Sequence, residues 1–386
     1  MNHDSNLIQF TDQQEDRYDR HQLISWWDQK KVSRARVIVA GAGALGNEVL
    51  KLLALIGVGH ILLIDFDNIS PSNLARMVLF REEDIGKPKV DVAVERLHEI
   101  NPDVEVKAIH GDLRLDIGFG EFRSADLVFG CLDSINARWA LNRKCMQAGV
   151  EWLDGGISDF HGSVARYSPM GGACYECNFT QHTYERFNRR YSCPFGLVSN
   201  LDEVKVPTTA VTTSVMAAIQ VQQALMMLHG MDEGLHPGER LMIYLKPYGM
   251  VKDILPYNPE CLAHFTIPAD VPIVDSPSKI TGREAIRIAQ AHLPEVIAIS
   301  LPFDLITEFT CGECSTREAV MQPKERVFQK QAICPNCGQL RTPEIVNAID
   351  SDSPYLDAKL SELGIPEREI LKFSGNSQSI YLRFGT

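Results

Sequence analysis

The chain has 386 residues, enough for two domains, and 45% of them are apolar, enough to bury a sizeable core. Its formal charge is −12, from 38 basic against 50 acidic residues, which argues against general binding of nucleic acid or anionic membrane. The start, MNHDSNLIQF, does not lead from basic to apolar residues, and no run of about 20 residues reads as a bilayer span, so the cytoplasm is the expected compartment.

Residues 15–35 read as a helix with Tyr18, Leu23, Trp26 and Trp27 as apolar contacts. The β-branched run Arg36–Ala40 has strand length and leads into Gly41-Ala42-Gly43-Ala44-Leu45-Gly46. Apolar residues at helical spacing follow over Asn47–Ile56, Gly57-Val58-Gly59 ends them, and Ile61–Ile64 is a second short strand. This is a strand–glycine loop–helix–strand unit of an α/β fold with a Rossmann-like sheet. Backbone N–H groups at such a helix start face a phosphate or ribose. Asp65 stands about 20 residues beyond Gly46, where an acidic group meets a ribose hydroxyl. The competing reading is a close-packed turn with no ligand.

A glycine fingerprint alone says "nucleotide", and a nicotinamide dehydrogenase is the ordinary next reading. The following residues argue otherwise. Phe66-Asp67-Asn68-Ile69-Ser70-Pro71-Ser72-Asn73-Leu74-Ala75-Arg76 and Ile85-Gly86-Lys87-Pro88-Lys89-Val90 bring cations. Arg76 and Lys89 suit a triphosphate, and Asn73 can donate to a phosphate oxygen. Hydride transfer has no need of that charge; nucleotidyl transfer does, because pyrophosphate leaves with growing charge.

Residues 91–100 continue as a helix stopped at Asn101-Pro102, Val104–Ile109 alternates as a strand, and Ala125–Cys131 is a core strand. Asp133 sits just past that strand, at the mouth of a parallel sheet, at the ligand, as N-cap of a helix over Ala137–Ala148, or in both roles. Trp152–Tyr167 suggests two strands around a turn, and Thr208–Leu228 a buried helix whose glutamines, Gln220, Gln222 and Gln223, mark it as soluble. Cys131 and Cys145 read as buried core thiols.

In order and spacing, RYDRHQLI (17–24), GAGALG, DFDNISPSNLAR, IGKPKV and CLDSINAR (131–138) resemble the MoeB and ThiF family, bacterial relatives of the ubiquitin-activating enzymes. The resemblance covers about residues 15–266. It implies adenylation of the C-terminal carboxylate of a ubiquitin-like protein with ATP and Mg2+. It also implies ATP over Gly41, Gly43, Ala44 and Gly46, with Asp65 and Asp67 at the ribose. Ser72, Asn73, Arg76 and Lys89 then meet the phosphates, with magnesium or the attacking carboxylate at Asp133. Arg20 would reach the ATP site of the other subunit of a homodimer. Ser134 stands where relatives often carry Asn, keeping a hydrogen-bonding group at shorter reach. The Asp-Gly-Gly of 154–156 would lie near the acyl-adenylate. A carboxylate attacking ATP is already ionised at neutral pH, so His161 is read as structural rather than as a base.

The ten cysteines fall mostly into CxxC pairs, which in a cytosolic chain read as zinc ligands. Cys174 and Cys177 resemble the first half of the family's zinc site. Cys261 and His264 stand at the second half, histidine replacing a cysteine, which zinc accepts. Cys311, Cys314, Cys334 and Cys337 have zinc-ribbon spacing. Both are expected to be structural, closed sites.

Cys193 remains unpaired in a long polar stretch, about 178–207, that carries Arg186, Arg189 and Arg190. Neighbouring cations favour a thiolate, and several relatives carry a cysteine here that takes the activated protein as a thioester or acyl-disulfide. Beyond an adenylation domain at 1–266, residues 267–386 form an α+β module. It has a Pro-, Asp- and Ser-rich linker at 268–281, a helix at 283–292, the ribbon, and a final alternating run at 380–384. Its expected role is binding, either of the substrate protein or of a conjugating enzyme. The alternatives are sulfur transfer through a thiocarboxylate, adenylation of a short peptide, a non-catalytic scaffold, and the nicotinamide enzyme.

Overall fold

A computed structural model describes residues 16–183 and 207–385. Arg36–Ala40 forms β1, buried on both faces from Val37 onward, as expected of a strand inside a parallel sheet. Val37 and Val39 face one core with the helix α3 (Ala44–Ile56), α4 (Lys89–Ile100) and α7 (Ala210–His229). Ile38 and Ala40 face the opposite core, with α6 (Ile135–Ala148) and Phe122 of α5 (Phe119–Arg123).

The other strands are β2 (His60–Asp65), β3 (Glu105–His110), β4 (Leu127–Gly130), β5 (Trp152–Ile157), β6 (His161–Tyr167), β7 (Glu239–Leu245) and β8 (Tyr248–Ile254). The sheet runs β3-β2-β1-β4-β5-β6-β7-β8. It is parallel from β3 to β5 and antiparallel beyond. The chain leaves β1 toward β2 and returns on its other side at β4, so the loops after β1 and β4 flank a switch point. That is where open α/β sheets hold ligands.

Residues 15–35 do not make the single expected helix. Helices α1 (Asp19–Gln22) and α2 (Gln29–Arg34) are separated by turns, and the Asp28 carboxylate restarts the helix by accepting from the Lys30 and Lys31 N–H groups. Tyr18 ties this segment down. Its hydroxyl accepts from Asn101 Nδ2 at 2.7 Å and lies where a Cβ on Gly57 would be, 2.2 Å away. Gly57 has φ +77° and closes α3.

Contrary to expectation, α7 meets the length and composition of a bilayer span. Half of that window is buried in the protein, against α3, β5 and β6. Its buried Gln220 donates to Leu153 O at 2.9 Å, and Gln223 accepts from the Leu235 N–H at 2.7 Å. It is built as a core helix.

The second sheet contains β9 (Ile273–Val274), β10 (Val296–Thr310), β11 (Arg317–Pro323), β12 (Thr342–Asp350), β13 (Ile370–Gly375) and β14 (Ser379–Phe384). β12 pairs along β10 on one side; on the other, β13 pairs with its first half and β11 with its second. Helix α8 (Gly282–His292) packs Ala285, Ile286 and Ala289 into this core, and the segment read as a linker supplies β9 alongside β14. Leu115, from the loop between β3 and α5, is buried in this same core.

Candidate functional site

The three glycines of the loop do different work. Gly41 has φ +99°, and a Cβ there would sit 2.5 Å from Cys131 O. A Cβ on Gly46 would sit 1.9 Å from Gly41 O. Both are therefore demanded by packing across the switch point. Gly43 is not: its φ is −69°, and a Cβ would meet nothing within 4 Å. It is the N-cap of α3 with no side chain to satisfy the first N–H groups, including that of Ala44. An uncapped helix start facing open space offers those donors to an anion. The ligand-free packing turn accounts for Gly41 and Gly46 but not for Gly43.

Asp65 ends β2 beside this loop. Its Oδ2 accepts from the Ala42 N–H at 2.6 Å and its Oδ1 from the Asp67 N–H at 2.7 Å. Burial raises its carboxyl above the usual range, and the nearby Lys89 ammonium and those N–H donors offset this only in part. Lys89 Nζ lies 2.6 Å from Asp67 Oδ2, and Lys89 N donates to Asp67 O. Asn73 is buried. Its Oδ1 accepts from the Ser70 N–H at 2.9 Å, which leaves its Nδ2 as the donor. Ser72 Oγ lies 3.1 Å from Ser70 Oγ, and Ser72 O accepts from Arg76 Nη1 at 2.7 Å. Within residues 65–89, then, Asp65 is bonded to the glycine loop at Ala42, Lys89 is tied to Asp67, and Asn73, Ser72 and Arg76 are tied to one another around Ser70.

Across the switch point, the N-cap of α6 is Ser134, whose Oγ accepts from the Ala137 N–H at 3.2 Å. The capping alternative for Asp133 is thereby corrected. The shorter serine sits one residue nearer the helix and takes the cap, leaving Asp133 exposed and outside any hydrogen bond among the described residues. Arg20 is exposed on α1. His161 lies at the start of β6, stacked on Tyr244 and half-exposed. Cys193 and the arginines around it lie outside the described residues.

The two predicted metal sets each come together, with all four donor atoms within 4.8 Å of one another. In the first, Cys174 Sγ lies 3.7 Å from Cys261 Sγ and 3.7 Å from Cys177 Sγ, and Cys177 Sγ lies 3.2 Å from His264 Nε2. In the second, Cys311 pairs with Cys337 at 3.4 Å and Cys314 with Cys334 at 3.6 Å. These separations exceed a disulfide bond and approach the edge of about 3.8 Å for tetrahedral thiolates around a metal–sulfur bond of about 2.3 Å. Tyr257 stacks on His264 at 5.0 Å. The second set sits on matched turns. Cys311 N donates to Thr316 O and Ser315 N to Cys311 O; Cys334 N donates to Gln339 O and Gly338 N to Cys334 O. Ser315 (φ 54°) and Gly338 (φ 75°) hold the equivalent left-handed positions. The donor sets, closed and sulfur-rich, fit zinc.

Residues 16–263 match the ThiF family. The chain belongs to that family. It is 30% identical over 262 residues to the sulfur carrier protein adenylyltransferase of Thermus thermophilus, a match covering 66% of this chain and 92% of that protein. It is 37% identical over 148 residues to SUMO-activating enzyme subunit 2 of Dictyostelium discoideum, covering 38% of this chain but 22% of that protein. The crystal structure of E. coli MccB with ATP is similar with a TM-score of 0.53 and 26% identity, covering 65% of this chain and 74% of MccB.

Within this ThiF fold, two features escaped the reading of the sequence. Asn47, fully buried on α3, donates to Ala42 O at 2.9 Å and accepts from the Leu79 N–H at 2.9 Å, so it ties the glycine loop to the segment after Arg76. Its signal was a polar residue one position past Gly46, on a helix whose other polar residues, Glu48 and Lys51, pair with each other. Arg138 donates from Nε to Asp154 Oδ1 at 2.8 Å and from Nη2 to Gly155 O at 3.1 Å. It stands one turn beyond Ser134, at the end of CLDSINAR (131–138), and fixes the Asp-Gly-Gly strand against α6.

Proposed function

We propose that the chain is an ATP-dependent adenylyltransferase that activates the C-terminus of a ubiquitin-like protein and then carries it as a thioester on Cys193 for transfer to a conjugating enzyme. The open N-terminus of α3 over Gly43 carries this reading. ATP lies along Gly41–Gly46, with Asp65 and Asp67 at the ribose. Lys89, Arg76, Asn73 and Ser72 take the phosphates, joined by Arg20 of a second copy in a homodimer. Asp133, exposed beyond β4, holds magnesium, which supplies charge neutralisation at the phosphates. A carboxylate oxygen of the protein substrate attacks the α-phosphorus, the bond to the β-phosphate oxygen breaks, and pyrophosphate leaves. The site works by positioning and charge. The Cys193 thiolate then attacks the acyl carbon, and AMP leaves with the bonding pair.

The two cysteine clusters hold structural zinc. The first joins Cys174-Cys177 to Cys261-His264 and so closes residues 1–266 as one unit. The second lies within the module at 267–386, where it ties the turn at 311–315 to the turn at 334–338. Sulfur transfer is the second reading, favoured by the likeness to a sulfur carrier protein adenylyltransferase. The test mixes MgATP and a ubiquitin-like protein from the same locus with wild type and Cys193→Ala, on non-reducing gels with intact mass. A thiol-sensitive adduct lost in the variant is expected. Pyrophosphate release without an adduct would move the assignment to sulfur transfer.

A further inference from the structure

The loop between β3 and α5, Gly111-Asp112-Leu113-Arg114-Leu115-Asp116-Ile117-Gly118, begins at the nucleotide site. Gly111 N donates to Asp65 O at 3.1 Å, and His110 Nε2 lies 2.9 Å from Phe66 O. Its apolar residues then alternate between two cores. Leu113 and Ile117 are buried in the first unit, whereas Leu115 is buried among Ile286, Leu305 and Phe373 of the C-terminal module.

The polar residues follow the same division. Asp116 Oδ2 accepts from the Asp112 N–H at 2.7 Å, which closes the loop on itself, and Asp116 N donates to Asp112 O at 2.8 Å. Arg326 Nη2 of the module reaches both oxygens of that carboxylate. Arg326 precedes Val327, which is buried with Phe309 and Ala332 in the small core beside the second cysteine cluster. At the loop's far end, Ile117 O accepts from Lys144 Nζ at 2.8 Å. Lys144 is held by α6, the helix behind Asp133. The fully buried Glu369 of the module lies near enough to act on its charge, and burial lowers the Lys144 pKa and raises that of Glu369. Gly120 N donates to Arg368 O at 2.7 Å.

We propose that the C-terminal module is a positioning element of the nucleotide site. Through Leu115 and the Arg326–Asp116 pair it holds the loop 111–118, and through that loop the Asp65 end of β2. This rests on the nucleotide reading of the glycine loop and adds to it: the module sets ATP affinity without touching ATP. Such coupling needs an element both sites bias, and here the loop is shared covalently with one unit and by packing with the other.

The test is ATP binding by calorimetry to the full chain, with melting temperature and zinc content recorded for each variant. Arg326→Ala and Asp116→Asn are each expected to weaken ATP binding roughly three- to tenfold. The double variant should be no weaker than the worse single one, and Arg326→Lys should recover part of the loss. Asp116→Asn keeps an acceptor for the Asp112 N–H, so it carries the test alone should Arg326→Ala not fold. Folded variants that bind ATP like wild type, or losses that add in the double variant, would overturn the proposal and leave the nucleotide reading standing. A wild-type chain that binds no ATP would remove both.

Discussion

Lys89 Nζ lies 2.6 Å from Asp67 Oδ2, with the lysine side chain 6% exposed and the aspartate 50% exposed. Lys89 is also the first residue of α4, where the helix dipole already presents positive charge. The buried ammonium is shared by Asp67 and the buried Asp65, whose carboxyl it helps hold down, and Asp91 stands in the same first turn of α4. Lys89→Met removes the cation from Asp65 and Asp67, so it is expected to lower the melting temperature and to weaken ATP binding about tenfold or more. Melting curves and titration calorimetry check this pair of outcomes.

The glycines separate packing from binding. Gly43→Ala places a methyl in open space at an ordinary φ, so the fold should hold while ATP binding falls. Gly46→Ala drives a methyl into Gly41 O and should destabilise by about 2–3 kcal/mol. Denaturant unfolding with ATP titration distinguishes them. A loop built for packing alone would make Gly43→Ala silent in both assays.

Asn47→Ala leaves Ala42 O and the Leu79 N–H buried without their partner, at a cost of about 1–3 kcal/mol. Because both groups border the nucleotide loop, added ATP should recover part of the lost stability. Urea unfolding with and without MgATP reads both effects.

Two zinc ions per chain are expected by elemental analysis, one for each four-donor set. Cys261→Ser should lower the content to one and open the link between residues 174–177 and 261–264. Cys334→Ser should lower it to one and loosen the module. Retention of two zinc ions in either variant would contradict the ligand assignment.

The parallel half of the first sheet was legible because β1, β2 and β4 are short apolar runs next to glycine, and β3 alternates after Asn101-Pro102. The place of Asp65, at the end of β2 against the glycine loop, was legible by its distance from Gly46. The metal sets were legible because CxxC spacing fixes two donors locally, and Cys261 and His264 repeat it. What escaped depends on chain pairing. Arg138 and Asp154 are 16 residues apart and meet only because β5 lies beside β4 and under α6. Leu115 stands between β3 and α5, and nothing local says that it belongs to a core formed after residue 280. The N-terminal segment misled because its helical pattern continues through Trp26 and Trp27, whereas these rings pack against His229 of α7 and Asp28 starts a new helix.

The most direct measurement is ATP–pyrophosphate exchange, with a ubiquitin-like protein from the same locus, in wild type and Lys89→Met, alongside NADH binding. Exchange that requires the protein substrate, is strong in wild type and collapses in the variant, with no NADH bound, is the expected result. Tight NADH binding by wild type with no pyrophosphate exchange would contradict the assignment.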